Sequence, residues 1–170
     1  MRMAAPTHLE PNWAIRPFRP DDAPAVRRLI ESVWQEHFRD HPDPFVRDFY
    51  SRLSDVDNAN TVYADRALFL CAIAEGAIIG TGAIKRFDDR ECEMVRMFVV
   101  PIYRGRGIAR AIADRLISFA GNAGYDRIRL SSNNALRASH RLYERMGFQL
   151  TASWDQGGEA HSRYYVLQIG

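Results

Sequence analysis

Residues 99–109 read Val-Val-Pro-Ile-Tyr-Arg-Gly-Arg-Gly-Ile-Ala. An apolar run ends at Pro101, a loop of glycine and arginine follows, and the loop opens directly into an apolar period at Ile108, Ile112, Leu116 and Phe119. That order predicts strand, tight turn, helix. The first turn of a helix has unpaired backbone N–H groups and a partial positive charge. Gly105 and Gly107 let an anion approach the backbone without meeting a Cβ. Arg104, Arg106 and Arg110 add positive charge around that point. The segment therefore has the makings of a phosphate-binding helix start. Its plain alternative is a basic surface turn.

Two familiar phosphate loops are excluded by particular residues. A P-loop needs Lys-Ser or Lys-Thr after its glycines, and none follows here. A dinucleotide loop needs a third glycine, where this chain has Arg110, and an acidic residue on the next strand, where Arg127–Leu130 runs into Ser131.

At 170 residues, with 46% hydrophobic residues, the chain can bury a substantial core. Residues 1–12 read as a loose N-terminal leader and 13–170 as one domain. A net charge of +2 and a pI near 8.7 demand neither nucleic acid nor a membrane as partner. Cys71 and Cys92 lie far apart in apolar contexts and read as core residues rather than a disulfide. No apolar run reaches the length of a membrane span, and the start lacks a secretory pattern, so a cytoplasmic protein is expected.

The remaining pattern alternates strands with helices. Trp13–Phe18 reads as a short strand, with Pro17 suggesting an edge or a strand end. Asp21 or Asp22 caps a helix whose apolar face is Val26, Leu29, Ile30, Val33, Trp34 and His37. Asp43-Pro44 starts a shorter helix using Phe45, Val46, Phe49 and Leu53, and Ser54–Asn60 reads as a polar connector. Strands are predicted at Leu68–Ala74, Ile78–Arg86, Cys92–Val100 and Arg127–Leu130. The glycine-loop helix runs to about Ala120, and a second helix covers about 136–146. Phe148–Trp154 and Ser162–Ile169 form a closing hairpin across Gly157-Gly158. The alternation predicts an α/β three-layer sandwich with a mixed central sheet flanked by helices.

The chain resembles the GNAT N-acetyltransferases. Their acetyl-CoA loop reads [QR]-x-x-G-x-[GA], and Arg104-Gly105-Arg106-Gly107-Ile108-Ala109 fits each position. Glu93–Val99 resembles the strand that precedes that loop, and Leu142-Tyr143-Glu144-Arg145-Met146-Gly147-Phe148 resembles the family's second signature. The likeness runs from Ile15 to about Ile169 and implies the GNAT fold with acetyl-CoA as co-substrate. It implies that residues 104–109 hold the cofactor's phosphates. It also implies that the main chain of Phe98, Val99 and Val100 meets the pantetheine arm, where this strand parts from Arg127–Leu130. Many members carry an asparagine seven places before the signature tyrosine. Leu136 stands there, and Asn133, slightly earlier, is the candidate to serve instead, unless Asn133 and Asn134 are only turn residues.

The resemblance also implies roles for two side chains. An alkyl ammonium has a pKa of about 10.4, so neutralising it at pH 7 costs roughly 4–5 kcal/mol. Glu93 is the candidate base, acting through water; the alternative is a strand glutamate that is solvated or paired with Lys85 or Arg96. Glu91 and Asp88 are reserves. Tyr143 is the candidate acid for the departing thiolate; the alternative is a packing residue. His37 and His41 have the i, i+4 spacing of a metal pair but lack further ligands, and an ordinary helix end is the better reading.

The function that follows is an acetyl-CoA-dependent N-acetyltransferase acting on a primary amine of a small molecule or peptide, as monomer or homodimer. Two alternatives stand beside it. One is an acetyltransferase of protein N-termini or aminoacyl-tRNA, which the dispersed basic residues do not favour. The other is a non-catalytic acetyl-CoA sensor, against which Glu93 and Tyr143 both argue. Trp34, His37, Phe38, Phe45, Tyr50, Trp154 and Asp155 are the candidates for lining an acceptor site.

Overall fold

The structure, a computed structural model, describes residues 12–151 and 162–170. Its centre is a seven-stranded mixed sheet in the order β1-β2-β3-β4-β5-β7-β6. The strands are β1 (Ala14–Pro17), β2 (Leu68–Ala74), β3 (Ala77–Arg86), β4 (Glu91–Val99), β5 (Arg127–Asn133), β6 (Gln149–Thr151) and β7 (Ser162–Gln168). β4 and β5 are parallel, while the other neighbours are antiparallel. A parallel pair needs a crossover, and helix α5 (Ile108–Asn122) supplies it.

The helices lie on both faces, as the apolar periods require. Ile108, Ile112, Ala113, Leu116 and Ala120 of α5 are buried against Leu70, Ile84, Met94 and Ile128 on one face. On the other face lie Val26, Leu29, Ile30 and Val33 of α1 (Ala23–Phe38), which bury Phe69, Cys71 and Ala83. Cys71 and Cys92 are buried free thiols on opposite faces, and burial pushes both up to about 12.

The segment after α1 departs from the sequence reading. The expected single helix from Pro44 is split into α2 (Pro44–Arg47) and a 3-10 turn, Phe49–Arg52, because Asp48 leaves the helical region at φ −99°, ψ 25°. The expected polar connector holds two further helical turns, α3 (Ser54–Asp57) and α4 (Ala59–Val62). Their apolar residues are few but spaced to point one way, so Leu53, Val56 and Ala59 join the α1 core. On α1 the apolar stripe ends in Phe38, which is buried, and His37 is exposed.

β5 runs three residues longer than expected. Ser131, Ser132 and Asn133 pair with Tyr164, Arg163 and Ser162 of β7. Helix α6 (Arg137–Arg145) follows. It ends in a Schellman motif: Gly147 adopts φ 93°, its amide donates to Glu144, and the Phe148 amide donates to the Tyr143 carbonyl. The part of the expected hairpin that contains Trp154, Gly157 and Gly158 lies outside the described residues, as does all but the last residue of the expected leader.

Candidate active site

Two adjoining clefts open along the end of β4, and the sheet itself makes them. β4 and β5 pair only at Glu91–Arg127, Cys92–Ile128 and Glu93–Arg129. Beyond that point the strands part. The main-chain groups of residues 94–99 that face β5 then have no ladder partner among the described residues.

A β-bulge shapes the same stretch. The β3–β4 register shifts between Thr81–Phe98 and Ala83–Val95, and Arg96 takes the left-handed value φ 59°. Plain alternation would put Phe98 opposite Glu93 and Val95. The extra residue instead brings Phe98 onto the α1 side with Val95, while Met94, Met97 and Val99 pack on the α5 side. A positive φ on a non-glycine residue is strained by about 1–2 kcal/mol. Two contacts hold it. Thr81 Oγ1 donates to the Arg96 carbonyl at 2.7 Å, and the Arg96 guanidinium donates twice to Asp55 of α3, at 2.9 and 2.7 Å. The Tyr63 hydroxyl donates to the same carboxylate at 2.7 Å. Burial opposes the Asp55 charge, but Arg96 and Tyr63 outweigh it and hold its carboxyl below the ordinary range.

The first cleft, about 520 Å³, lies over the start of α5. Gly105 and Gly107 adopt φ 74° and 79°, so the loop turns in a way that only glycine takes without strain. Gly107 caps α5. The first intrahelical bond runs from Ala111 back to Gly107, so the amides of Ile108, Ala109 and Arg110 have no helical acceptor. The cleft is lined by Phe98, Val99, Arg104, Gly105, Gly107, Ile108 and Ala109 among the expected residues. Val100 and Arg106 do not line it. The Val100 amide donates to Ile79, and the Arg106 guanidinium lies over the Tyr103 ring.

The second cleft, about 430 Å³, lies between the end of β4, β5 and the α2 region. Glu93, Arg96, Phe98, Asn133, Trp34 and Phe45 are among its walls. Glu93 pairs with Lys85 across the β3–β4 ladder at 3.1 Å and stays 15% exposed. The two reserve carboxylates lie elsewhere: Glu91 pairs with Arg127, and Asp88 caps the turn before β4. Asn133 ends β5, and its side chain accepts the Ala135 amide at 3.0 Å.

Tyr143 belongs to both clefts. Its side chain is buried against Phe148 and Tyr165. Its hydroxyl makes no hydrogen bond among the described residues. Burial, and secondarily Tyr165, pushes the phenol up, so it keeps its proton through the neutral range.

Residues 26–148 match the acetyltransferase (GNAT) family. The chain belongs to that family. The fold agrees with solved members. A GNAT acetyltransferase from Staphylococcus aureus aligns with a TM-score of 0.80 at 21% identity, covering 93% of this chain and 99% of that one. The PaiA N-acetyltransferase from Thermoplasma acidophilum, in complex with coenzyme A, aligns at 0.77 and 16% identity, covering 92% and 99%. In sequence, 82 residues are 38% identical to the N-acetylaspartate synthetase of Danio rerio, which is 48% of this chain and 29% of that protein. The match thus spans less than a third of the synthetase. An uncharacterised N-acetyltransferase of Mycobacterium bovis is 28% identical over 118 residues, 69% of this chain and 76% of that one. No helix among the described residues is long and apolar enough to cross a membrane.

The GNAT loop arginines are distributed differently from the expectation of a common phosphate ring. Arg104 donates twice to Glu36 of α1, at 2.9 and 2.8 Å, and once to the Val99 carbonyl. Arg110 pairs with Asp114 one turn on. Two other arginines at the first cleft have no carboxylate within 4.0 Å among the described residues: Arg137 and Arg145, at the two ends of α6. Both stand in stretches that resemble family motifs, but sequence reasoning gave neither a phosphate role. Their i, i+8 spacing, just over two helical turns, was the available signal. His41 accepts the Asp43 amide at 3.1 Å and so organises the turn after α1.

Removing the Asp55 carboxylate, as in Asp55→Ala, leaves the half-buried Arg96 unpaired, and is expected to destabilise the fold by about 3 kcal/mol. A carboxyl held low in the folded state contributes stability that is fully present above its unfolded pKa of about 3.9 and is lost as pH falls through the folded value. Melting temperatures of parent and variant should therefore differ at pH 7 and converge towards pH 3. An equal difference at both pH values would remove Asp55 from this account.

Proposed function

We propose that this protein is an acetyl-CoA-dependent N-acetyltransferase that moves the acetyl group directly to a primary amine of a small molecule or peptide. One observation carries the reading. Tyr143, whose hydroxyl has no hydrogen-bond partner among the described residues, lines both of two adjoining clefts, one suited to a phosphate-bearing carrier and one to an acceptor. Two substrates in adjoining clefts favour direct transfer over an acyl-enzyme.

The residues fit acetyl-CoA, which supplies the activated acyl group. The free amides of residues 108–110 at the α5 start bind a phosphate, and Arg106, Arg137 and Arg145 add charge nearby. The parted edge of β4 at Phe98 and Val99 offers main-chain groups to an extended arm, apart from the Val99 carbonyl that Arg104 already occupies. Val100 contributes through its position alone, since its amide is already used. Glu93 takes a proton from the amine through water. Tyr143 gives a proton to the departing sulfur. Asn133 marks the junction between the acceptor cleft and α6.

A thiol-release assay over an amine panel, run with parent and Glu93→Gln, tests the reading. Glu93→Gln keeps the shape and loses the base, so kcat should fall about 10²-fold at pH 7. The deficit should shrink as pH approaches the amine's own pKa, where the acceptor arrives deprotonated. Superimposable pH–rate profiles would take Glu93 out of the mechanism, and no turnover of any amine by the parent would overturn the function.

A further inference from the structure

We propose that the acceptor is an amino acid, and that Arg52 is the specificity-determining residue that receives its carboxylate. The inference rests on the acetyl-transfer reading above and names the substrate class of that same site. Arg52 ends the 3-10 turn Phe49–Arg52 and lines the acceptor cleft with Glu93 and Arg96.

The guanidinium of Arg52 is fixed by three contacts from two residues, neither of them anionic. It lies 3.9 Å from the Phe45 ring centroid and 5.7 Å from that of Phe49, and Nη2 donates to the Phe45 carbonyl at 2.6 Å. Stacking sets its plane, and the carbonyl sets its rotation. No carboxylate among the described residues approaches within 4.0 Å. A cation held in place, with most of its donor edge unused, is arranged for a planar anion.

Arg96, paired with Asp55, lies on the floor of the same cleft. Its guanidinium carbon lies 5.2 Å from the Phe49 centroid, so the two arginines, which share that ring, are at most about 11 Å apart. Arg96 uses Nε and Nη2 on Asp55, which leaves Nη1. Glu93 lies three residues earlier on β4, roughly 10 Å of strand away. The side chains and the bridging water cover most of that length, so an amine served by Glu93 and a carboxylate held by Arg52 can belong to one compact molecule. Its body would meet Phe45, Phe49 and Trp34. A polyamine would instead leave Arg52 without an anion and meet it as a like charge.

The test compares each amino acid with its own amide by thiol release with acetyl-CoA. The amide's amine is the less basic of the two, so chemistry alone favours the amide, and a preference for the acid has to come from the site. For the best acceptor we expect kcat/KM at least tenfold higher for the acid. Arg52→Gln should bring that ratio near one, chiefly by raising the acceptor KM. Arg52→Lys, which keeps the charge without the fork, should retain part of it. Equal rates with acid and amide in the parent, or a ratio that survives in a folded Arg52→Gln variant, would overturn the inference while leaving the acetyltransferase reading intact. Should Arg52→Gln not fold, the parent's ratio decides. Turnover of no amine would overturn both.

Discussion

Tyr143→Phe is expected to lower kcat by about 10²–10⁴-fold while leaving acetyl-CoA affinity and melting temperature nearly unchanged. The ring, not the hydroxyl, makes the packing contacts of this residue, with Phe148 and Tyr165 at centroid distances of 5.8 and 6.2 Å. Phenylalanine keeps them. The hydroxyl has no partner among the described residues, so its loss leaves none of their groups unsatisfied. On the proposed mechanism, what disappears is a proton donor at the point where negative charge develops on sulfur. An interaction that strengthens only as that charge appears acts on kcat. A residue present only for packing predicts normal turnover. Steady-state kinetics and calorimetry on one preparation separate the two.

Gly107→Pro is expected to weaken acetyl-CoA binding by at least about 100-fold. Proline fixes φ near −65°, and Gly107 adopts 79°. The turn cannot keep its path with proline there, so the free amides of residues 108–110 no longer converge. Hydrogen bonds to a charged group contribute about 1.5–3 kcal/mol each, and losing two gives the stated factor. The substitution lies at the exposed mouth of the cleft, while the buried face of α5 begins at Ile108. Circular dichroism should therefore report a folded protein. Calorimetric titration of that folded variant with unchanged affinity would remove the loop from phosphate binding.

These residues were legible because their local chemistry is self-announcing. A glycine pair between an apolar strand and an apolar helix has few uses, and Gly105, Gly107 and Gly147 all adopt the positive φ their positions imply. The layering of α1 and α5 follows from simple periodicity. What escaped the sequence depended on contacts distant along the chain. The helical turns at Ser54–Asp57 and Ala59–Val62 look polar locally and exist because Leu53, Val56 and Ala59 find the α1 core. The extension of β5 to Asn133 needs β7 beside it, since Ser-Ser-Asn has no strand propensity of its own. Arg104 read as a phosphate ligand, yet Glu36, 68 positions earlier, takes its fork. The strained Arg96 has no local signature, because its conformation is imposed by Thr81 and Asp55.

The three-pair seam between β4 and β5 has a consequence for how the molecule holds together. On one side of it lie β1 to β4, on the other β5, β7 and β6, and along most of their shared length the two groups make no main-chain bond. The sheet is in effect a pair of leaves joined at one end like a partly opened book. A long molecule seated in the gap and bonded to both leaves would act as a clasp. Recognition of the carrier and reinforcement of the whole architecture would then be one event, and an excess of ligand of about a hundred times its dissociation constant would add about 2.7 kcal/mol to the stability of both leaves together.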